Sequence, residues 1–167
     1  DVCSSDLAEG RSALVRLPVL AYGFFLLWKT ALRPEVFTPF DFLNLGIHEM
    51  GHLVCMPFGE WIGIAGGSTA QILAPLFGVW QFLRQRDYFA AAFALGWLGE
   101  SLANLSVYIG DARRQELPLV NMFGGDPIHD WNYLLTSLHR LHLDTTYAKR
   151  VQFLGRSEEH TSELQSR

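Results

Sequence analysis

The stretch Trp61-Ile-Gly-Ile-Ala-Gly-Gly-Ser-Thr-Ala-Gln-Ile-Leu-Ala-Pro-Leu-Phe-Gly-Val-Trp-Gln-Phe-Leu83 contains no Asp, Glu, Lys or Arg. A second apolar run, from Tyr88 to Gly110, has Glu100 as its only charged residue, and a short charged segment separates the two runs. About 20 residues at helical rise cross the hydrocarbon core of a bilayer, so each run is long enough to span a membrane. Buried helices of a large soluble protein are the competing interpretation. We predict an all-α, multi-pass transmembrane helical bundle.

Further helices are expected on both sides of these runs. Thr38-Pro39-Phe40-Asp41 is a helix start, with Thr38 as N-cap and Pro39 in the first helical position, and this helix should end before Pro57. A first candidate span, 14–32, precedes it. Two further helices are predicted after the second run, one from 129 to about 143 and one from 144 onwards.

The helix that starts near Pro39 contains His48-Glu49-Met50-Gly51-His52, the pattern HExxH. Residues four apart share one face of a helix, so both imidazoles can reach one metal ion. Glu49 is then placed to take a proton from the water that attacks a substrate. Two imidazoles and a carboxylate are costly in hydrocarbon unless they bind something. We predict a Zn²⁺ site with His48 and His52 as ligands and Glu49 as the catalytic base; a pair of ordinary hydrogen-bonding histidines is the alternative.

A catalytic zinc usually has three protein ligands and one open position, so a third ligand must come from elsewhere in the chain. We favour His129, which precedes a predicted helix, with the neighbouring carboxylates Asp126 and Asp130 as alternative ligands or as groups that orient the imidazole. Asp111, at the end of the second run, is a further alternative. Glu100 is interpreted either as a proton carrier or metal-supporting residue, or as an acid bonded to a neighbouring helix.

Both ends of the chain look foreign. Residues 1–7 and 156–167 resemble translated sequencing-adapter sequence, so we assign 8–155 to a membrane-embedded domain and expect it to be truncated. Leaving the ends out removes Cys3, so no intrachain disulfide is expected. It also removes more acidic than basic residues from a chain whose net charge is −4, and what remains offers no basic patch for nucleic acid.

With HEMGH in a membrane helix, the chain resembles the site-2 protease family of intramembrane zinc metalloproteases. The segment Gly67-Ser-Thr-Ala-Gln71 is similar to the family's G-P-x-x-N, with Ser68 in place of Pro and Gln71 in place of Asn. The stretch Asn104 to Asp111 echoes a later family motif that supplies an Asp ligand, but lacks its prolines and trailing glycine. The resemblance implies zinc held by His48 and His52, and cleavage of a peptide bond within a membrane.

The expected protein is therefore a membrane-embedded zinc metallopeptidase that cleaves membrane proteins or peptides. It would be a multi-pass integral protein of a prokaryotic cell membrane, with the lipid bilayer as its surroundings. The alternative from another class is a non-catalytic membrane metal-binding protein, such as a sensor, a carrier or a transporter subunit. A structural membrane protein whose histidines bond each other is the third possibility.

Overall fold

The computed structural model describes residues 13–32, 39–119 and 128–164, and all regular structure in these ranges is helical. The all-α prediction is therefore confirmed. Short 3₁₀ turns follow the second helix and precede the last one, at Met56–Phe58 and Leu141–Leu143. The α-helices are α1 (Ala13–Leu32), α2 (Pro39–Cys55), α3 (Glu60–Arg84), α4 (Tyr88–Gly110), α5 (Asp130–Ser137) and α6 (Asp144–Leu164).

Most helix boundaries agree with the sequence, but α5 is shorter than expected. Helix α2 starts at Pro39 as predicted, whereas its expected cap Thr38 lies outside the described residues. The predicted continuation to Leu143 is wrong, because His139 adopts a positive φ of 56° and ends α5. The following N–H of Arg140 then bonds back to Leu135 O at 2.7 Å, a capping pattern that usually uses glycine.

Helix α3 is central, since it packs against both α2 and α4. Its contact with α2 is very close: a Cβ on Gly66 would lie 2.5 Å from Cys55 Cβ, and one on Gly51 would collide with the backbone of Gly66. The absence of a side chain at Gly66 thus permits this close helix packing. By contrast, a Cβ on Gly96 of α4 would meet nothing within 4 Å. The close approach brings the middle of α3 against the histidine face of α2.

Among the described residues, α3 is the one helix that is long and apolar enough to cross a membrane, judged by length and composition. Helix α4, also predicted as a span, has 23 residues but carries Glu100, Asn104 and two serines, which lower its hydropathy. The polar residues of α4 lie mostly towards the inside, where Glu100 is 2% exposed. The helical part of the prediction therefore holds for the described chain, and α3 remains the candidate span.

A buried charged network connects α1, α2 and α4. Lys29 Nζ lies 2.9 Å from Asp41 Oδ2 and 3.1 Å from Glu100 Oε1, and the Lys29 side chain is 2% exposed. Asn44 donates to Glu100 Oε2 at 2.7 Å, and Asn104 donates to both carboxylates at 2.9 and 3.0 Å. We call Lys29, Asp41, Glu100, Asn44 and Asn104 the charged network. It joins the helices that carry it through polar contacts, which lie beside the aromatic contacts of Phe40 with Tyr22 and Phe93.

Helix α6 packs along α4 and is tied to it by an ion pair near its start. Arg113, just beyond the end of α4, donates to Asp144 Oδ2 at 2.7 Å, and the backbone N–H of Thr145 donates to Asp144 Oδ1 at 2.6 Å. Burial by itself raises the pKa of Asp144, but Arg113 and Thr145 stabilise the carboxylate and hold its pKa below the ordinary value of 3.8. Asp144 is thus ionised at neutral pH.

Candidate metal centre

Helix α2 presents His48 and His52 on the face that α3 covers. Their Nε2 atoms lie 2.8 and 3.3 Å from the same atom, Asp130 Oδ2 on the first turn of α5. The three potential ligand atoms all lie within 4.8 Å of one another. Ligand atoms around a tetrahedral zinc are separated by about 3.4 Å, as bond lengths of about 2.0–2.2 Å require. Small side-chain adjustments would therefore bring this group, here called the metal group, to coordination distance.

The other nitrogen of each ring is bonded in a way that directs Nε2 at this point. His52 Nδ1 lies 2.9 Å from the carbonyl oxygen of Gly63, and His48 Nδ1 lies 3.2 Å from Gln71 Oε1. These oxygens accept hydrogen bonds, so each Nδ1 carries a hydrogen, and in the neutral ring each Nε2 keeps the lone pair that a metal ion needs. Two such nitrogens and a carboxylate oxygen repel one another unless a proton or a metal cation lies among them. The donor set therefore fits a divalent metal ion.

The space next to these nitrogens is kept open by Gly67 on α3. A Cβ at this position would lie 2.5 Å from His52 Nε2 and 2.7 Å from His48 Nε2. Real Cβ atoms do not approach other atoms so closely, so any larger residue would displace the imidazoles or occupy the space where they converge. Gly67 is buried, as is the Gln71 side chain one turn further along the helix. Helix α3 thus forms one wall of the metal group.

Asp130, the third member of the metal group, is the first residue of α5. Burial raises the pKa of Asp130, but the imidazoles of His48 and His52, when protonated, donate hydrogen bonds to its carboxylate and leave the pKa lowered. Metal ligands must be deprotonated, so Asp130 is in the form that a metal needs. The Asp130 backbone N–H donates to the hydroxyl of Tyr108 at 3.1 Å, which ties the start of α5 to α4.

His129, the favoured third ligand, lies next to the metal group without belonging to it. Its Nδ1 accepts a hydrogen bond from the N–H of Asn132 at 3.3 Å and thereby caps α5. Its Nε2 lies 3.5 Å from Asp111 Oδ2 and has no hydrogen-bond partner within the described residues. The ring stacks on Tyr108, with centroids 4.4 Å apart. In the structure His129 is therefore the N-cap of α5, and Asp130, the next residue, contacts His48 and His52.

The remaining alternatives for the third ligand are not part of the metal group. Asp111 ends α4, where its two oxygens each accept a backbone N–H, from Glu116 and Leu117, at 3.0 Å. Asp126 lies outside the described residues. Asp111 thus closes the turn after α4, as a helix-end residue commonly does.

Glu49 lines the same cavity as the metal group and is partly exposed within it. The cavity has a volume of about 700 Å³. Its other lining residues are mainly apolar, including Leu45, Leu53, Met56, Ile64, Leu105 and Ile128. The predicted base therefore faces a space that can hold part of a polypeptide, beside the three potential ligands.

Glu100 bonds neighbouring helices and makes no contact with the metal group. It accepts hydrogen bonds from Lys29 of α1 and from Asn44 of α2, one turn before His48. Of the two interpretations of this residue, the geometry supports the acid bonded to neighbouring helices. Its influence on the histidines is limited to fixing the helix that carries them.

Sequence reasoning did not assign a role to Gln71, Tyr108 or Lys29. Gln71 was noticed only as a variant of the family motif, and no local pattern reveals its contact with His48, which spans 23 positions. Tyr108 lies in an apolar run where an aromatic residue attracts no attention. Lys29 had a usable signal, because a lysine in one apolar helix and Glu100 in another predict a buried ion pair.

Comparison of the chain with protein-family models, with curated proteins and with solved structures finds no match. The candidate site therefore depends on the geometry of the chain itself, and on the converging ligand atoms of His48, His52 and Asp130 above all.

Proposed function

We propose that this chain is a membrane-embedded zinc metallopeptidase that hydrolyses peptide bonds of membrane proteins or peptides. The observation that carries the proposal is the convergence of His48 Nε2, His52 Nε2 and Asp130 Oδ2 in a cavity that Glu49 also lines. Two imidazoles and one carboxylate form a known ligand set of catalytic zinc and leave a coordination position open. A non-catalytic sensor or carrier would close its coordination shell instead.

The proposal includes a multi-pass arrangement in the membrane, and the distribution of polar and apolar residues supports its membrane part. Large apolar side chains lie exposed along α3, among them Phe77 at 62% and Leu73 at 57%. Helix α2 also exposes large apolar side chains, with Phe42 at 68% and Val54 at 61% exposure. At the same time, the charged network and the metal group are buried. This inside-out pattern is expected when the surroundings are lipid.

In the proposed reaction, the residues of the site have separate roles. When bound, the zinc ion would supply Lewis-acid chemistry, which makes water nucleophilic at neutral pH and polarises the scissile carbonyl. Glu49 takes a proton from the attacking water and passes it to the nitrogen of the leaving amine. The water oxygen forms a bond to the carbonyl carbon, and the carbon–nitrogen bond breaks. Gln71 and the Gly63 carbonyl hold the two imidazoles in the tautomer that exposes Nε2.

Elemental analysis of the detergent-purified full chain tests this site. We expect about one zinc per chain in the wild type and loss of zinc in His48→Ala and in Asp130→Ala. His129→Asn should retain zinc, because asparagine also caps helices and His129 is outside the metal group. Absence of metal from the wild type would refute the proposal. Iron in place of zinc would do so as well, since the same ligand set holds iron in oxygenases.

Hydrolysis is tested with a library of quenched fluorescent peptides that carry apolar residues, assayed in detergent micelles. Glu49→Gln should reduce cleavage by at least about 100-fold, because the general base is lost. Its zinc content should stay at the wild-type level. If zinc and cleavage fall together in this variant, Glu49 is a ligand or a structural group and the assigned role is wrong. Glu60→Gln, on the rim of the same cavity, is the matched control.

A further inference from the structure

Tyr108 is a phenol in the cavity that the reaction described above does not use. Its hydroxyl lies 3.1 Å from the backbone nitrogen of Asp130, and its ring meets the His48 ring edge-on, with centroids 6.0 Å apart. The same side chain lines the cavity together with Glu49. Tyr108 is therefore next to the metal group and faces the space where a substrate would lie.

The backbone contact leaves the phenolic hydrogen to be donated either to the neighbouring Asp130 carboxylate or to an oxygen in the cavity. In its contact with Asp130 the Tyr108 oxygen is the acceptor, because a backbone N–H can only donate. A phenol that accepts one hydrogen bond can still donate its own hydrogen to another oxygen. The ring cannot easily rotate away, since it is stacked on His129 on one side and packed against His48 on the other.

We infer that Tyr108 is a further catalytic residue, which donates a hydrogen bond to the oxyanion of the tetrahedral intermediate; this inference depends on the proposed peptidase function. As the water oxygen bonds to the carbonyl carbon, the carbonyl electron pair moves onto its oxygen. The Tyr108 hydroxyl stabilises that charge without transferring its proton. When the carbon–nitrogen bond breaks, the electron pair returns to form the carboxyl group, and the amine takes the proton carried by Glu49.

In this arrangement His129 is a positioning residue for Asp130 and Tyr108. It caps α5, which holds Asp130, and its ring supports the ring of Tyr108. One side chain thus orients both a metal ligand and the hydrogen-bond donor. This accounts for a buried histidine beside the metal group whose own nitrogens are directed elsewhere.

The test is Tyr108→Phe in the full chain, with Tyr88→Phe as the matched control. Tyr88 makes the same chemical change possible at the exposed start of α4. Loss of one oxyanion donor typically lowers kcat by about 100- to 1000-fold, so we expect a decrease in that range with little change in KM. The affinity for a phosphinic peptide, which mimics the tetrahedral intermediate, should fall with kcat. Zinc content should match that of the wild type.

Three results would overturn the inference, and the measurements distinguish them from one another. If kcat and phosphinic-peptide affinity are unchanged, Tyr108 donates nothing to the oxyanion. If zinc is lost in proportion to activity, Tyr108 only holds Asp130 through the backbone contact. If the wild type retains zinc but cleaves no peptide and binds no phosphinic peptide, the proposed function fails and the role of Tyr108 with it.

Discussion

The metal group and the charged network share helix α2, yet they differ in how their polar atoms are satisfied. In the charged network, the ammonium of Lys29 lies between the carboxylates of Asp41 and Glu100, and amide groups supply further donors. In the metal group, two imidazole nitrogens and a carboxylate oxygen converge, and no cationic side chain lies among these atoms. The first cluster contains its own lysine, whereas the second is completed either by protonation of an imidazole or by a bound metal ion.

This difference indicates which buried polar cluster is a functional site. Burying charge is costly, so a cluster that is complete within the chain needs no ligand to explain it. A cluster of converging metal-ligating atoms without a lysine or arginine partner is the better candidate for a ligand site. Glu100 and His48 were both conspicuous in the sequence, but only His48 belongs to a cluster of the second kind.

The largest expected effect on function comes from breaking the metal group while leaving the charged network intact. Gly67→Ala places a methyl group against both Nε2 atoms, so zinc affinity should fall by about 100-fold or more. Gly96→Ala on α4 is the control, because its added methyl group meets nothing within 4 Å. Zinc affinity is measured by competition with a chelator. Unchanged affinity in Gly67→Ala would mean that the imidazoles do not converge beside this glycine.

The next effect comes from breaking the charged network while leaving the metal group intact. Lys29→Met leaves the carboxylates of Asp41 and Glu100 buried without their ammonium, and removal of one partner of a buried ion pair costs about 3–5 kcal/mol. Denaturant unfolding in detergent should show this loss, and the folded fraction should keep its zinc.

Two further variants sharpen that experiment. Adding Glu100→Gln to Lys29→Met should recover part of the stability, because one of the two uncompensated charges is removed. Lys149→Met, at an exposed position on α6, should unfold like the wild type. A Lys29→Met protein of normal stability that has lost its zinc would contradict the separation of the two clusters.

The smallest effect concerns the ion pair between Arg113 and Asp144, which is less enclosed than the charged network: the Arg113 side chain is 48% exposed. The pKa of Asp144 is lowered in the folded protein, so its carboxylate stabilises the fold above the ordinary pKa of 3.8. That contribution is lost as the pH falls through the folded-state pKa.

Asp144→Asn should therefore lower Tm at pH 7, and the difference from the wild type should narrow below about pH 4. Glu116→Gln, at an exposed position, is the control and should leave Tm unchanged. A difference in Tm that is the same at pH 7 and at pH 3 would show that the charge of Asp144 does not stabilise the fold.

Much of the helical framework could be predicted from the sequence, because its signals are local. Proline at position 39 and the polar residues between Arg84 and Asp87 mark where helices begin and end. The early end of α5 was not predictable in this way, since His139 occupies a backbone conformation that normally favours glycine. The pairing of His48 and His52 was predictable, because a spacing of four in a helix places both residues on one face.

What the sequence by itself determined is therefore the set of helices and the two imidazoles that can share a metal. The tertiary structure alone decided the third member of the group, because Asp130 is 82 positions from His48 and adjacent to His129, which we favoured from the sequence. Neighbouring residues at a helix start point in different directions, so a single step along the chain separates a ligand from a capping residue. Such a choice depends on how α5 docks against α2 and α4, and only long-range packing sets that position.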